Sequence, residues 1–267
     1  MIINIVGTSK VAFAITKALV EKGYKVEYVV SRQRDKAKAY VQTLGQGKPV
    51  EYEDNFELSG ITFVAVPDDV LEKVYERIRK KVIGGTLIHF SGFLGSEVFY
   101  DADSRDFGRA SLHPNLSFAD FKTAELHIRK CCFGIEGNDK GLKAAEEIAK
   151  SVSNCFVKIP PNVKPAYHLA AVIASNFLVG LAYLAKMLYE KYEIPNFDKI
   201  IPALMENTVH NISTLGVRKA LTGPVARGDW KVVQAEKEIF INSFPDFAQF
   251  YDTMVRILSE LKRGDFV

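Results

Sequence analysis

The stretch from Met1 to Arg32 leaves few folds open to this chain. Ile2, Ile3, Ile5 and Val6 form an apolar run long enough for a buried parallel strand and too short for a helix. Gly7 ends it. Val11, Ala12, Ile15, Ala18 and Leu19 then recur at helical spacing, so a helix through Lys22 carries one apolar face. Gly23 suits the left-handed geometry that often closes a helix, and Val26 to Val30 read as a second strand. Strand, turn, helix and strand in this order make a βαβ unit with a right-handed crossover.

The turn Gly7-Thr8-Ser9-Lys10-Val11-Ala12 stands where a dinucleotide fingerprint, Gly-x-Gly-x-x-Gly or Ala, would stand. Gly7 fits the tight turn. Ser9 takes the place of the second glycine and Ala12 that of the third, while amides at the helix start attract phosphate. Where an NAD-preferring unit has an acidic residue after its second strand, this chain has Ser31, Arg32, Gln33 and Arg34. A hydroxyl and two guanidinium groups suit a 2′-phosphate, which predicts NADP as cofactor.

With 267 residues, 48% hydrophobic and 25% charged, the chain can bury a substantial core. A net charge of +3, with no basic run interleaved with aromatics, argues against a nucleic-acid surface. Met1 leads directly into a strand, with no targeting arrangement, so a cytoplasmic protein is expected. Ala166 to Leu188 is the most apolar segment, but His168, Ser175, Asn176 and Lys186 interrupt it; it reads as a buried helix rather than a membrane span. Cys131, Cys132 and Cys155 read as core thiols rather than disulfide or metal partners.

Further along, Ile61 to Val66 predicts another central strand, ending at Val66-Pro67-Asp68. Ligands of open α/β sheets lie beyond strand carboxyl ends, so Val66, Pro67 and Asp68 are candidates for a cofactor rim; a plain turn and helix cap is the other reading. Thr86 to Phe90 leads to Ser91-Gly92, a further rim candidate, and Arg109 to Leu112 leads to His113-Pro114-Asn115. His113 and Asn115 are therefore placed to line a site. Strands at Cys131 to Ile135 and Cys155 to Ile159 flank an amphipathic helix. Pro160-Pro161-Asn162 interrupts the pattern, which divides the chain into a nucleotide-binding domain, 1–160, and a helical domain, 161–267.

The helical part opens with a long helix from about Val163 to Tyr192. On an ideal helix His168 and Ser175 differ by about 20° around the axis and ~10 Å along it, with Asn176 next round. Such a polar line is costly unless it finds partners or faces a cleft, and it is read as substrate-facing. In Leu221-Thr222-Gly223-Pro224-Val225-Ala226-Arg227, Thr222 and Arg227 could meet an anionic ligand. No His and carboxylate set has metal-ligand spacing.

His113-Pro114, Tyr167 to Val172 with Ala174 to Phe177, and Leu221 to Asp229, together with the opening unit, resemble one family. It is that of the Rossmann-like NADP-binding proteins with a C-terminal helical domain of unknown function. The chain is also broadly similar to deazaflavin-dependent NADP reductases and to the 6-phosphogluconate dehydrogenase superfamily. The resemblance implies an α/β, Rossmann-type parallel sheet domain followed by an all-α domain, often used for dimerisation, with a cleft between them. In related hydroxyacid dehydrogenases a catalytic Lys precedes an Asn by four positions; here Lys164 is followed at that spacing by His168.

The expected activity is hydride transfer between NADP(H) and a small substrate, anionic ones included, bound between the two domains of a homodimer without nucleic acid or membrane. His168 is the expected acid or base, with His113 and Ser175 assisting and Asn176 holding the substrate. Gly7, Thr8, Ser9, Lys10, Val11, Ser31, Arg32, Arg34, Val66, Pro67, Asp68, Ser91 and Gly92 are the expected cofactor residues. His113, Asn115, Thr222 and Arg227 are the expected substrate residues. The rival expectation is a non-catalytic NADP(H)-binding sensor or interaction protein, without turnover.

Overall fold

A computed structural model describes residues 1–264. The chain divides into two compact units, Met1–Asn176 and Phe177–Val267, where the sequence pattern places the boundary at 160/161.

In the first unit helices separate most of the strands: β1 (Ile2–Val6), α1 (Lys10–Val20), β2 (Lys25–Ser31), α2 (Arg34–Leu44), β3 (Lys48–Glu51), β4 (Ile61–Val64), α3 (Asp68–Ile78) and β5 (Thr86–His89). Then come β6 (Gly108–Pro114), α4 (Phe121–His127), β7 (Phe133–Gly137), α5 (Asp139–Val152), β8 (Phe156–Lys158) and α6 (Lys164–Val172). The eight strands form one sheet in the order β3-β2-β1-β4-β5-β6-β7-β8. This is a Rossmann-type arrangement, with β2 and β4 on either side of β1. Successive side chains alternate between the faces. Ile5, Val29, Phe63 and Ile88 join one core, and their neighbours Val6, Val30, Val64 and Leu87 join the other. Both faces are thus buried, which accounts for the continuous apolar runs.

One pairing departs from a purely parallel sheet: β7 runs antiparallel to β6. The only α-helix in the connection is the seven-residue α4, about 10 Å long. The chain returns to Cys132, whose carbonyl accepts from Asn115 N at 3.1 Å, so β7 begins where β6 ends.

The cysteines also differ from expectation. Cys132 and Cys155 form a disulfide, while Cys131 is a buried free thiol. Each bridged residue immediately precedes a strand, and Phe133 pairs with Phe156 in register, so the pairing of β7 with β8 brings the two sulfurs together.

A π-helical turn, Ile173–Phe177, separates α6 from α7 (Leu178–Lys191). The segment Pro161–Lys191 has the length and hydropathy of a membrane span and is not buried within the chain. Its first turn, however, is docked on the sheet through Lys164. The expected buried helix instead leaves Leu169, Ile173, Phe177, Val179 and Tyr183 exposed. The second unit continues with α8 (Phe197–Leu215), α9 (Val217–Ala220), α10 (Gly223–Arg227), α11 (Trp230–Ser243) and α12 (Ala248–Arg263). Asp229 caps α11 through Val232 N, and Phe240 packs with Phe244, Phe250 and Tyr251.

Candidate active site

The β1–α1 turn is held from three sides. Gly7 N donates to Val30 O at 2.8 Å. Gly7 has φ +104°, and a Cβ there would stand 2.3 Å from Ala65 O, so both geometry and space require glycine. Ser9 does more than replace a glycine, because its Oγ accepts from Ala12 N at 3.1 Å and caps α1. Lys10 Nζ is turned onto Ala119 O.

Beyond the carboxyl ends of β1, β2 and β4 lies a cavity of about 290 Å³ lined by Gly7, Thr8, Ser9, Ser31, Arg32, Val66 and Pro67, with Gln33, Lys36 and Tyr52 among the others. It contains two cations and no carboxylate. Arg34 is placed elsewhere: its guanidinium binds both oxygens of Asp54 at 2.7 Å and pairs with Glu51 at 3.4 Å. Arg34, expected to face a phosphate, is held instead by those two acidic partners, which the β2–β3 pairing carries to it, and it is not among the residues lining the cavity. Lys36, which is not among the expected cofactor residues, also lines the cavity. Its signal was its position on the first turns of α2, two residues beyond Arg34.

A second cavity, of about 280 Å³, shares Ser9, Val66 and Pro67 with the first and adds Val11, Asp68 and Ser91. Asp68 lies in the first turn of α3 and accepts from Ser91 Oγ at 2.6 Å. Ser91 Oγ in turn accepts from Phe93 N at 3.1 Å and Leu94 N at 2.9 Å, which shapes the loop after β5. His89 is buried; Ser91 N donates to its Nδ1 at 3.2 Å, so Nε2 carries the proton and donates to Gly95 O at 3.1 Å. Burial, and secondarily Lys164, push its pKa down to about 3. Its hydrogen bonds give it a structural place beneath the site.

Around Gly92 three basic side chains converge. Lys164, from the first turn of α6, is 1% exposed and donates to Ser111 Oγ at 2.6 Å and Ser91 O at 3.2 Å. Burial lowers its pKa, against the opposing effect of Glu136, Glu97 and Asp68. The rings of His113 and His168 stand 5.7 Å apart, edge to face. His168 Nδ1 and His113 Nε2 both lie within 2.8 Å of the point where a Cβ on Gly92 would stand. Burial, then the neighbouring His168 and Lys164, lower the His113 pKa to about 4. His168 Nδ1 is buried and has no hydrogen-bond partner among the described residues. Asn115 Nδ2 and His113 Nδ1 both meet the Tyr167 hydroxyl, at 2.6 and 3.2 Å. In the sequence Lys164 stands out only by comparison with related dehydrogenases and Tyr167 only within a family stretch; neither shows by spacing that it folds against β6.

Ser175 and Asn176 are not brought to this cluster. Both lie on the π-helical turn, which breaks the 100° progression behind the expected polar line. Ser175 Oγ donates to Ala171 O at 2.6 Å and lies 3.0 Å from the Asn176 side-chain amide, both side chains are exposed, and neither bonds to either histidine. Thr222 precedes α10 and Arg227 ends it, both exposed in the second unit. Among the described residues no group of three His, Cys, Asp or Glu side chains is arranged to hold a metal.

Residues 2–88 match the family NADP oxidoreductase, coenzyme F420-dependent, and residues 131–257 match a domain of unknown function, DUF2520. The crystal structure of protein TM1727 from Thermotoga maritima is 36% identical, covers 98% of this chain and 99% of its own, and superposes with a TM-score of 0.82. The chain belongs to this family of Rossmann-like NADP oxidoreductases. The fold extends to more distant proteins. A Bacteroides fragilis protein assigned as an NADP oxidoreductase, BF3122, is 24% identical with a TM-score of 0.76, over 97% of this chain and 98% of its own. An imine reductase from Myxococcus stipitatus in complex with NADP+ is 15% identical with a TM-score of 0.65, over 99% of this chain and 95% of its own. No curated protein matches the chain.

Proposed function

We propose that this NADP oxidoreductase binds NADP(H) beyond the carboxyl ends of β1, β2 and β4, and moves hydride between the nicotinamide and a small substrate, anionic ones included, beside His113 and His168. The carrying observation is the crevice at the point where the strand order reverses, lined by Arg32 and Lys36 without a carboxylate. Two cations and the Ser31 hydroxyl complement a 2′-phosphate, and the start of α1 complements a diphosphate. The NADP+ held by the Myxococcus stipitatus imine reductase, which shares the fold, supports the same cofactor here.

The nicotinamide supplies the hydride when bound. The chain's own residues position and exchange protons: His168, with its unpartnered Nδ1, serves as acid or base, and His113 assists. Lys164 holds Ser91 O and Ser111, and so fixes the floor on which both rings rest. A second copy of the chain covers the apolar residues that α7 and α8 leave exposed, including Val179, Tyr183, Leu204 and Val209; sedimentation as a monomer would refute that.

The deciding measurement is NADPH against NADH affinity, in the wild type and in Arg32→Ala. Losing a charge-assisted pair weakens NADPH about 10- to 100-fold and leaves NADH unchanged. Equal affinities in the wild type overturn the cofactor assignment. Tight NADPH binding with no turnover across a metabolite screen would instead make the chain a nucleotide sensor.

A further inference from the structure

We infer that Tyr167 is a positioning residue that holds His113 in one tautomer, with the proton on Nε2, so that His113 faces the site as a hydrogen-bond donor and not as a base.

The inference starts from a group with fixed polarity. The Cys132 carbonyl can only accept, and Asn115 meets it at 2.9 Å, so the atom facing it is the amide nitrogen. That assignment fixes the Asn115 side chain. The same Nδ2 lies 2.6 Å from the Tyr167 hydroxyl, which therefore accepts its second hydrogen. The phenol has one proton of its own to place. The Gly134 backbone N–H also faces this oxygen as a donor, so the neighbour left to take the proton is His113 Nδ1 at 3.2 Å, and among the described residues no other acceptor is bonded to the hydroxyl. Tyr167 thus donates, Nδ1 accepts, and a neutral His113 must carry its proton on Nε2. The Tyr167 hydroxyl rests directly on Gly134, where a Cβ would come within 2.3 Å of it, so the strand β7 leaves it no room to turn away.

Nε2 lies beside Gly92 and has no hydrogen-bond partner among the described residues. It offers a donor there, and the atom it suits is an oxygen that accepts, as in a carbonyl or carboxylate. Proton abstraction then falls to His168, whose Nδ1 is the unpartnered nitrogen beside the same face of Gly92. The reading of the site as an oxidoreductase centre enters only in calling that oxygen a substrate's; the tautomer stands on the hydrogen bonds alone.

The test is nitrogen NMR of the full chain labelled with 15N-histidine, without cofactor, with the five histidines assigned by substitution. The wild type should show His113 Nδ1 at an unprotonated, acceptor shift and Nε2 at a protonated shift near neutral pH. Tyr167→Phe should move both resonances toward the averaged values of a mixed tautomer. Asn115→Ala, which frees the phenol to accept, should move them the same way and guards against a folding failure of the first variant. A proton on Nδ1 in the wild type overturns the inference, as do His113 shifts unchanged in either folded variant. Because no nucleotide is present, failure of NADPH binding leaves this result standing, and the reverse also holds.

Discussion

Lys164 Nζ donates to Ser111 Oγ at 2.6 Å, joining the first turn of the long helix to the buried strand β6. A lysine that is 1% exposed is uncommon. Here the ammonium also reaches Ser91 O, and Ser111 Oγ donates to that same carbonyl at 2.9 Å. The triangle ties the loop after β5, the end of β6 and the start of α6 into one support. His113 is carried by the second of these elements and His168 by the third, which is why two residues so far apart in sequence meet beside Gly92.

Acid should destabilise the protein through its buried histidines. His89 and His113 fall from the ordinary 6.5 to about 3 and about 4 on folding. Above pH 6.5 both states are neutral and the stability is fully present. As pH falls toward 4 the unfolded chain binds protons that the folded chain refuses, so stability is lost, by up to about 3 kcal/mol for His113. Urea midpoints measured near pH 7 and near pH 4 should show a smaller loss in His113→Gln than in the wild type.

Arg34 and Lys36 should exchange the roles that their positions in the sequence suggest. Arg34→Ala frees Asp54 and Glu51 and should change NADPH affinity less than threefold. Lys36→Ala removes a cation from the cavity and should weaken NADPH by roughly 1–2 kcal/mol, about 5- to 30-fold, with NADH unaffected. Fluorescence titration with both nucleotides checks this, and equal losses in the two variants would contradict the assigned geometry.

Reduction should destabilise the fold without dismantling it. The Cys132–Cys155 bridge spans 23 positions, a closure that contributes about 3 kcal/mol on the chain-entropy account. Denaturation with and without a thiol reductant should reveal that difference, and Cys132→Ser with Cys155→Ser should abolish it.

Gly92→Ala should disturb the imidazole pair rather than the backbone. The added methyl would overlap His168 Nδ1 and His113 Nε2, and overpacking of this kind costs about 1–3 kcal/mol. A lowered melting temperature with altered His113 and His168 resonances is expected; unchanged histidine spectra would mean the rings lie elsewhere.

The sequence by itself determined the βαβ opening, the glycine turn, the order of most strands and helices, and the strand-end positions of Ser31, Arg32, Val66 and Ser91, which line the two cavities. Each of these follows from local periodicity or from a residue's own conformational limits, and those survive whatever surrounds them. Only the tertiary structure decided that Arg34 belongs to Asp54, that Cys132 meets Cys155, that Lys164 is buried and that Tyr167 reaches His113. These pairings depend on strands distant in sequence lying side by side, and a side chain's partner is chosen by that register, not by its neighbours along the chain. The π-helical turn at Ile173–Phe177 is the converse case, where a shift in backbone winding redirected Ser175 and Asn176, which an ideal helix places in line with His168.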